Sequence, residues 1–461
     1  MNRFSKCTWL VCLCLVGLLA VPTVADQLLS NEEILAQLSE MDIDWGQADG
    51  ESIYCALQSE SDTWKWEEYG LFDLFQELTG IIVDYTMFEE AQLREKTTTD
   101  IMTGTGIFDA YMFDPMYMRG YDRASGLQDL NVFLNDPELT DLVGMGWPDD
   151  FPADFVAMGS LDDRILGIPM HMSGQILIYN KRIFEENGLD PDQPPTTMQE
   201  LVEYAAACHH PEDGQYGIAL RGQRGAGLNV FSWSSFFKAF GGEWFNEAWE
   251  PMLDSAEAIA AVEYYSDLIC DYGPPGVASW EWSKILNGLQ QGTVAITIDA
   301  PPFAGMIEDP EKSLTAGEWG YAVNPAGAAG SVMTPYSWFL GISPYASTEK
   351  QEAAWLFVTF VTSKPVQLAL GAMECPSRKS VILDESLNEE LPWMAEWQAA
   401  LVSNSQYADP DARPRLAEWA EIGDAMGIEL ESVIAGSKDA ATACESANQM
   451  ILRIMEEAGY Y

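Results

Sequence analysis

Residues 165–201, ILGIPMHMSGQILIYNKRIFEENGLDPDQPPTTMQEL, constrain the fold more than any other stretch of this chain. They set one order: a short apolar strand over 175–179, a short helix over 181–187, a proline stop and a second helix. Gly188 stands where a left-handed helix C-cap is wanted, and Pro194-Pro195 prevents the first helix from continuing. Thr197 and Glu200 have capping-box spacing, so each side chain can meet the other's backbone N–H. The same alternation recurs along the chain. Strands are expected over 51–57, 81–88, 110–113, 217–220, 294–298 and 338–342, with helices over 66–78, 198–208 and 256–272 among them. Short apolar strands alternating with amphipathic helices predict an α/β protein of open sheets covered on both faces. No internal repeat or low-complexity tract interrupts the pattern.

The N-terminus predicts export. Arg3 and Lys6 precede an apolar run from Cys7 to Val21, and Pro22-Thr23-Val24-Ala25 supplies small residues for cleavage. The run is shorter than the roughly 20 residues a membrane span needs. Residues 1–25 are therefore read as a cleaved signal peptide, the alternative being a retained anchor. No cysteine stands at the cleavage point, so a lipid anchor is not expected; a freely diffusing periplasmic protein of a Gram-negative cell is.

Lys and Arg number 23 against 72 Asp and Glu, a formal charge of −49. Loss of Arg3 and Lys6 makes the mature chain more negative still. That balance excludes ordinary nucleic-acid binding, which needs a basic footprint. The acids are scattered as EE, DD and DE pairs, which suits a surface that stays hydrated at high salt better than it suits one cation site. A salt-adapted source organism follows as an expectation. Cys55, Cys208, Cys270, Cys375 and Cys444 lie beyond the leader, an odd number whose spacing selects no bridge. Three histidines and no CxxC leave little for a zinc site, and no cofactor motif is found.

Several motifs then fall in a familiar order. The run YNK followed by F, G and PPxTxxEL resembles the solute-binding proteins that feed sugar-type ABC importers, extracellular solute-binding protein family 1. Phe75–Ile81, Thr103–Ala110, Gln291–Asp299 and the 350–362 helix KQEAAWLFVTFVT are similar to further family segments, with Asp299 where glycine is commoner. RGQRGAGLN, GGEWF and PPGVASWEW look more like the polyol and oligosaccharide branch than the maltose one. The resemblance implies a two-lobed periplasmic binding protein fold of class II type, each lobe a sheet flanked by helices, with a hinge of crossover segments. Its mapping puts 26–170 and 300–362 in lobe 1, and 171–299 and 363–461 in lobe 2. It also implies a monomer partnered by an inner-membrane ABC permease, and would place Cys208 with Cys270, or Cys375 with Cys444, within one domain.

Ligands in such folds sit beyond the carboxyl ends of strands. A sugar or polyol wants planar polar groups for its hydroxyls and aromatic faces for its carbon skeleton. The candidates are Asp114 after the third strand, which a turn-capping role would equally explain, and His171 and Gln175 flanking the first crossover. Arg221, Arg224 and Asn229 lie in the Gly-rich loop RGQRGAGLN, where arginine often merely ties a loop down. Trp280 and Trp282, alternating around Glu281, are expected on one side of an extended segment. Trp233, Trp244 and Trp338 are further platforms, Trp338 favoured because it lies beside the crossover strand, although any one tryptophan is more often core. Asp299 ends the return strand, and Arg378 sits where the resemblance places a closing contact of the second lobe. Gln58 and Trp64, after the first strand, are weaker candidates. The leading function is capture of a neutral carbohydrate or polyol for an importer, without catalysis. The alternatives are the same fold holding a polyamine or other cation on Asp114 and Asp299 over aromatic faces, and a secreted carbohydrate-active enzyme using two carboxylates.

Overall fold

The structure, a computed structural model, describes residues 27–371, 375–384, 387, 391 and 393–461, so the leader lies outside the described residues. Eleven strands follow one another among those residues: β1 Ser52–Gln58, β2 Ile82–Phe88, β3 Ala110–Phe113, β4 Ser160–Leu161, β5 Arg164–Ile165, β6 Ile168–Pro169, β7 Ile176–Asn180, β8 Tyr216–Ile218, β9 Val294–Asp299, β10 Trp319–Ala322 and β11 Phe339–Ile342. They form a five-stranded sheet in the order β2-β1-β3-β11-β6, a four-stranded sheet in the order β10-β7-β9-β8, and the small pair β4-β5. β1 is parallel to β2 and β3, whereas β11 runs antiparallel to β3 and β6. In the second sheet β8 is parallel to β9, and β7 is antiparallel to β9 and β10.

The 165–201 segment folds as its residues predict. Asn180 caps helix Lys181–Glu186 by accepting from the Ile183 N–H, and Gly188, at φ +77°, turns the chain so that Leu189 N–H reaches Phe184 O at 2.9 Å. Thr197 and Glu200 exchange side-chain and backbone bonds of 3.1 and 3.2 Å at the start of helix Met198–Ala207. Strand β7 is buried on both faces. Ile176 and Ile178 enter the core that wraps the first sheet and continues to one face of the second, while Leu177 and Tyr179 enter the core on the other face, as period-2 alternation requires. The helix expected over 66–78 is broken in two, Ser61–Glu68 and Leu71–Thr79, because Gly70 takes φ +66° between them.

Two lobe assignments meet a different packing. Residues 319–322, expected with the first lobe, pair as β10 with β7 of the second sheet. Helix Lys364–Leu370, expected with the second, packs on helices Asn31–Leu38 and Thr348–Val361 beside the first sheet. Helix Met394–Ser405 returns to the second sheet, against β10 and β7. Strand pairing across more than a hundred residues has no local signature, which is why the boundaries shift. Cys55, Cys208, Cys270 and Cys444 are free thiols, so Cys208 and Cys270 are not bridged. Cys375 belongs to the first core and Cys444 to the second, so those two are not joined. Among the described residues no single helix is long and apolar enough to cross a membrane.

Two crossover segments connect the sheets and lie side by side. Met170 N–H donates to Trp338 O at 2.9 Å, and Ser173 and Tyr336 exchange backbone bonds of 3.2 and 3.1 Å. Met172 N–H adds a bond to Cys375 O at 2.8 Å.

Close helix-to-sheet approach in the second lobe rests on one glycine. A Cβ built on Gly217 of β8 would lie 1.9 Å from the Ala205 carbonyl oxygen of helix Met198–Ala207. Gly217→Ala is expected to cost about 3 kcal/mol by forcing the helix outward. A urea unfolding midpoint equal to that of the parent would show that the helix retreats freely.

Candidate ligand-binding cleft

Between the sheets, where strand ends and crossovers converge, lies a partly open cavity. The first lobe contributes Gln58 from the end of β1, then Glu60 and Trp64, and Glu90 from the first turn of helix Glu90–Thr103. The crossovers contribute His171, Ser173, Tyr336 and Trp338. The second lobe supplies Arg221 after β8, Gly227, Phe231 and Trp282, and the turn after β9 adds Ala300, Pro302, Phe303 and Met306. Aromatic and aliphatic surface thus faces a few polar groups, as ligand pockets generally do.

Two of the arginines beside the cavity are paired with carboxylates. Arg221 forks onto Asp299, with Nε 2.9 Å from Oδ2 and Nη2 2.5 Å from Oδ1, and both side chains are buried. A bidentate guanidinium–carboxylate pair is among the stronger hydrogen-bonded contacts. Burial alone would weaken the Arg221 charge, but Asp299 outweighs it and holds the pKa above its ordinary value. On the facing side Arg94 contacts Glu90 one turn earlier and donates to Asp114 Oδ2 at 2.8 Å. Glu90 and Asp114 likewise overcome the desolvation of Arg94. The Arg94 guanidinium lies 5.0 Å from the centre of the Trp338 ring, and Arg221 and Arg413 lie 5.0 and 5.1 Å from that of Phe231. Arg94 also spans the cleft. A Cβ on Gly227 would fall 2.7 Å from Arg94 Nη2, so a side chain there would push that guanidinium aside. At the hinge His171 lies between Glu60 and Asp62, 3.4 and 3.3 Å away.

Of the residues expected at the ligand, the structure brings His171, Arg221, Trp282 and Trp338 to the cavity wall. Asp114 and Asp299 stand behind it, neutralising the two arginines; Asp114 also caps Met116 N–H at 2.9 Å. Gln175 is fully buried and positions the wall instead, its amide donating to Phe231 O at 2.6 Å. Asn229 opens helix Asn229–Ala239, where no helix was expected, and ties the glycine loop to Gly427 O at 2.9 Å. Arg224 is exposed, its backbone N–H on Glu431, and does not line the cavity. Trp280 and Trp282 part company because Glu281 caps a helix that starts at Trp282, leaving Trp280 packed against the cores. Arg378 lies inside the first lobe, donating to Thr362 O, Met145 O and Asp150 at 2.5, 2.6 and 3.1 Å, with Phe151 against it. Trp233 and Trp244 are core.

Sequence reasoning missed Glu60, Glu90, Arg94, Ser173, Phe231, Phe303, Met306 and Tyr336, and gave Gln58 and Trp64 little weight. Position after a strand end was the available signal for Glu60 and Glu90. Ser173 and Tyr336 required knowing that the two crossovers pair. Glu308, at the end of helix Phe303–Ile307, is a further structural carboxyl. It accepts from Gly317 N–H at 2.5 Å and Tyr321 OH at 3.0 Å, and burial pushes its pKa up to about 7.

Two outcomes follow from these charges. Asp299→Ala leaves Arg221 buried without its carboxylate and is expected to cost about 3–5 kcal/mol, read as a fall in the denaturant midpoint; an unchanged midpoint would mean that the guanidinium reaches water. Glu308 has a folded-state pKa above its value of 4.5 in the unfolded chain, so its contribution is full below 4.5 and is lost as pH rises through about 7. Thermal melts should show part of the stability decline between those pH values disappearing in Glu308→Gln, and parallel curves for the two proteins would count against this assignment.

The geometry has counterparts among known proteins. A mannitol-binding protein of Pseudomonas aeruginosa is 28% identical over 82% of this chain and 88% of its own. A probable amino-acid ABC transporter periplasmic-binding protein of Sinorhizobium fredii is 24% identical over 84% of this chain and 85% of its own. A solute-binding protein of Agrobacterium vitis S4, solved with bound D-mannitol, superposes with a TM-score of 0.78 at 27% identity, covering 89% of this chain and 99% of that one. Residues 65–368 match the bacterial extracellular solute-binding protein family. With both lobes, the paired crossovers and the cleft in place, the chain belongs to that family of two-lobed binding proteins.

Proposed function

We propose that the protein is the periplasmic receptor of an ABC importer, that it captures a neutral polyol or small carbohydrate between its lobes, and that it delivers the ligand to an inner-membrane permease. The observation that carries the ligand class is the matching of charge. Arg94 and Arg221 are each held by carboxylates, while Phe231, Trp282 and Trp338 offer faces to a carbon skeleton; Arg413, buried against Phe231, donates to the Pro335 carbonyl. An anionic ligand would find Arg94 and Arg221 already engaged and would meet Glu60 and Glu90 on the wall. A polyamine held on Asp114 and Asp299 would meet carboxylates that are buried and turned toward arginines. The mannitol-binding relative and the mannitol complex support the same class. Binding without catalysis, a monomeric state, export by cleavage after residue 25 and a salt-adapted host complete the proposal. The lobes are proposed as roughly 26–169 with 339–391, and 176–322 with 393–461, the crossovers lying between. Ligand closes them by a population shift, through contacts to both.

The test is a thermal-shift panel on the mature chain with D-mannitol, ribitol, mono- and disaccharides, polyamines and amino acids. A micromolar polyol supplied at millimolar concentration adds about 4 kcal/mol to stability. A shift with polyamines or amino acids alone would overturn the ligand class. The ligand-free protein is also expected to melt higher at about 2 M than at about 0.1 M salt, since screening relieves repulsion among its acids; a flat dependence removes the salt-adapted reading.

A further inference from the structure

The cavity wall holds two polar side chains that the fold leaves without partners. Gln58 ends β1 and is 4% exposed, and its amide oxygen has no hydrogen-bond partner. Ser173, in the first crossover, is 3% exposed; both its backbone groups are engaged with Tyr336, yet its hydroxyl has no partner. Both residues line the cavity. Leaving such a group buried and unsatisfied costs about 1–3 kcal/mol. Around them Arg94 and Arg221 hold carboxylates, Gln175 holds Phe231 O, and His171 lies between Glu60 and Asp62.

We propose that Gln58 and Ser173 are the specificity-determining residues of this cavity, taking ligand hydroxyls directly, Gln58 as acceptor and Ser173 as donor or acceptor. The inference rests on the polyol reading above and deepens it. An amide oxygen requires a ligand group that carries a hydrogen, which a hydroxyl has and a carboxylate or ketone lacks. Glu60, on the same wall, further disfavours an anion. A site whose buried polar groups need a ligand hydroxyl discriminates strongly against the analogue lacking it, because those groups are then left unpaired. The structure therefore assigns selection of hydroxylated over deoxygenated relatives to these two side chains, with the Gln58 amide oxygen and Glu60 acting against acidic ones, and assigns to Asp114, Asp299 and Gln175 the positioning of the wall.

Calorimetric titration of the mature chain, its Ser173→Ala variant and its Gln58→Met variant tests this with D-mannitol, ribitol and their monodeoxy forms. Each variant is expected to raise the Kd of the bound polyol about 10-fold. For one monodeoxy form per variant, parent and variant should bind equally, since the partner hydroxyl is already gone. Melting temperatures without ligand should be unchanged or higher, because the removed groups bond nothing in the protein. Variants that bind the polyol as tightly as the parent overturn this inference while leaving the receptor reading intact. A lowered ligand-free melting temperature, with the same loss against every deoxy form, would make the residues merely structural and also overturn it. If neither polyol binds the parent, this assignment falls with the polyol reading.

Discussion

Two sheets can close on a small molecule only if the chain crosses between them at a fixed place, and the backbone bonds between 170–173 and 336–338 fix it here. Residues from both crossovers are held together mainly by main-chain N–H and C=O groups, with the Ser337 hydroxyl accepting from His171 N–H. His171, Ser173, Tyr336 and Trp338 face the cavity from the hinge itself. A ligand that touches this wall touches the element about which the lobes would turn. Contact with Glu60 on one lobe and Trp282 on the other would then bias the closed arrangement, which is the thermodynamic requirement for ligand-driven closure.

The electrostatics of the cleft contrast with those of the surface. The chain carries 72 acidic residues, yet the carboxylates nearest the cavity include some that are specifically committed: Asp299 to Arg221, and Asp114 and Glu90 to Arg94. Surface acids are solvated and need no partner, whereas an ionised carboxylate or guanidinium is costly to bury without an opposite charge. Arginine is scarce in this sequence, and its placement beside the cleft reflects that requirement. The pairing leaves a wall of fixed dipoles and aromatic faces, suited to a neutral ligand with many hydroxyls. It also explains why Asp114 and Asp299, which sequence reasoning placed at the ligand, stand behind the groups that line it.

Much of the fold was legible. β3 and helix Ala256–Tyr272 coincide with their expected limits, and the Thr197–Glu200 box and the Gly188 turn form as spacing predicts, because caps and strand periodicity are local properties. The broken helix at Gly70 was missed because glycine inside a periodic run reads equally as a weak helix residue. The site was less legible. Trp282 and Trp280 sit two residues apart and alternate in sequence, but Glu281 starts a helix between them, and of the two Trp282 lines the cavity. Arg378 carries the same composition signal as Arg221, and only packing shows that one ties Thr362 to Met145 and the other reaches the cavity.

The sequence by itself determined the α/β class, the order of most elements and the family resemblance, since each depends on patterns within a few turns or strands. Tertiary structure alone decided the rest: β10 beside β7, the association of helix Lys364–Leu370 with the first sheet, and the pairing of Arg221 with Asp299 across 78 residues. Hydrogen bonds between strands and ion pairs between side chains act through space, and nothing in the neighbouring residues records which distant group will complete them. The same reason hid Gln58 and Ser173. A polar side chain without a partner is a property of the folded wall, and the amino-acid sequence supplies only the group that is left waiting.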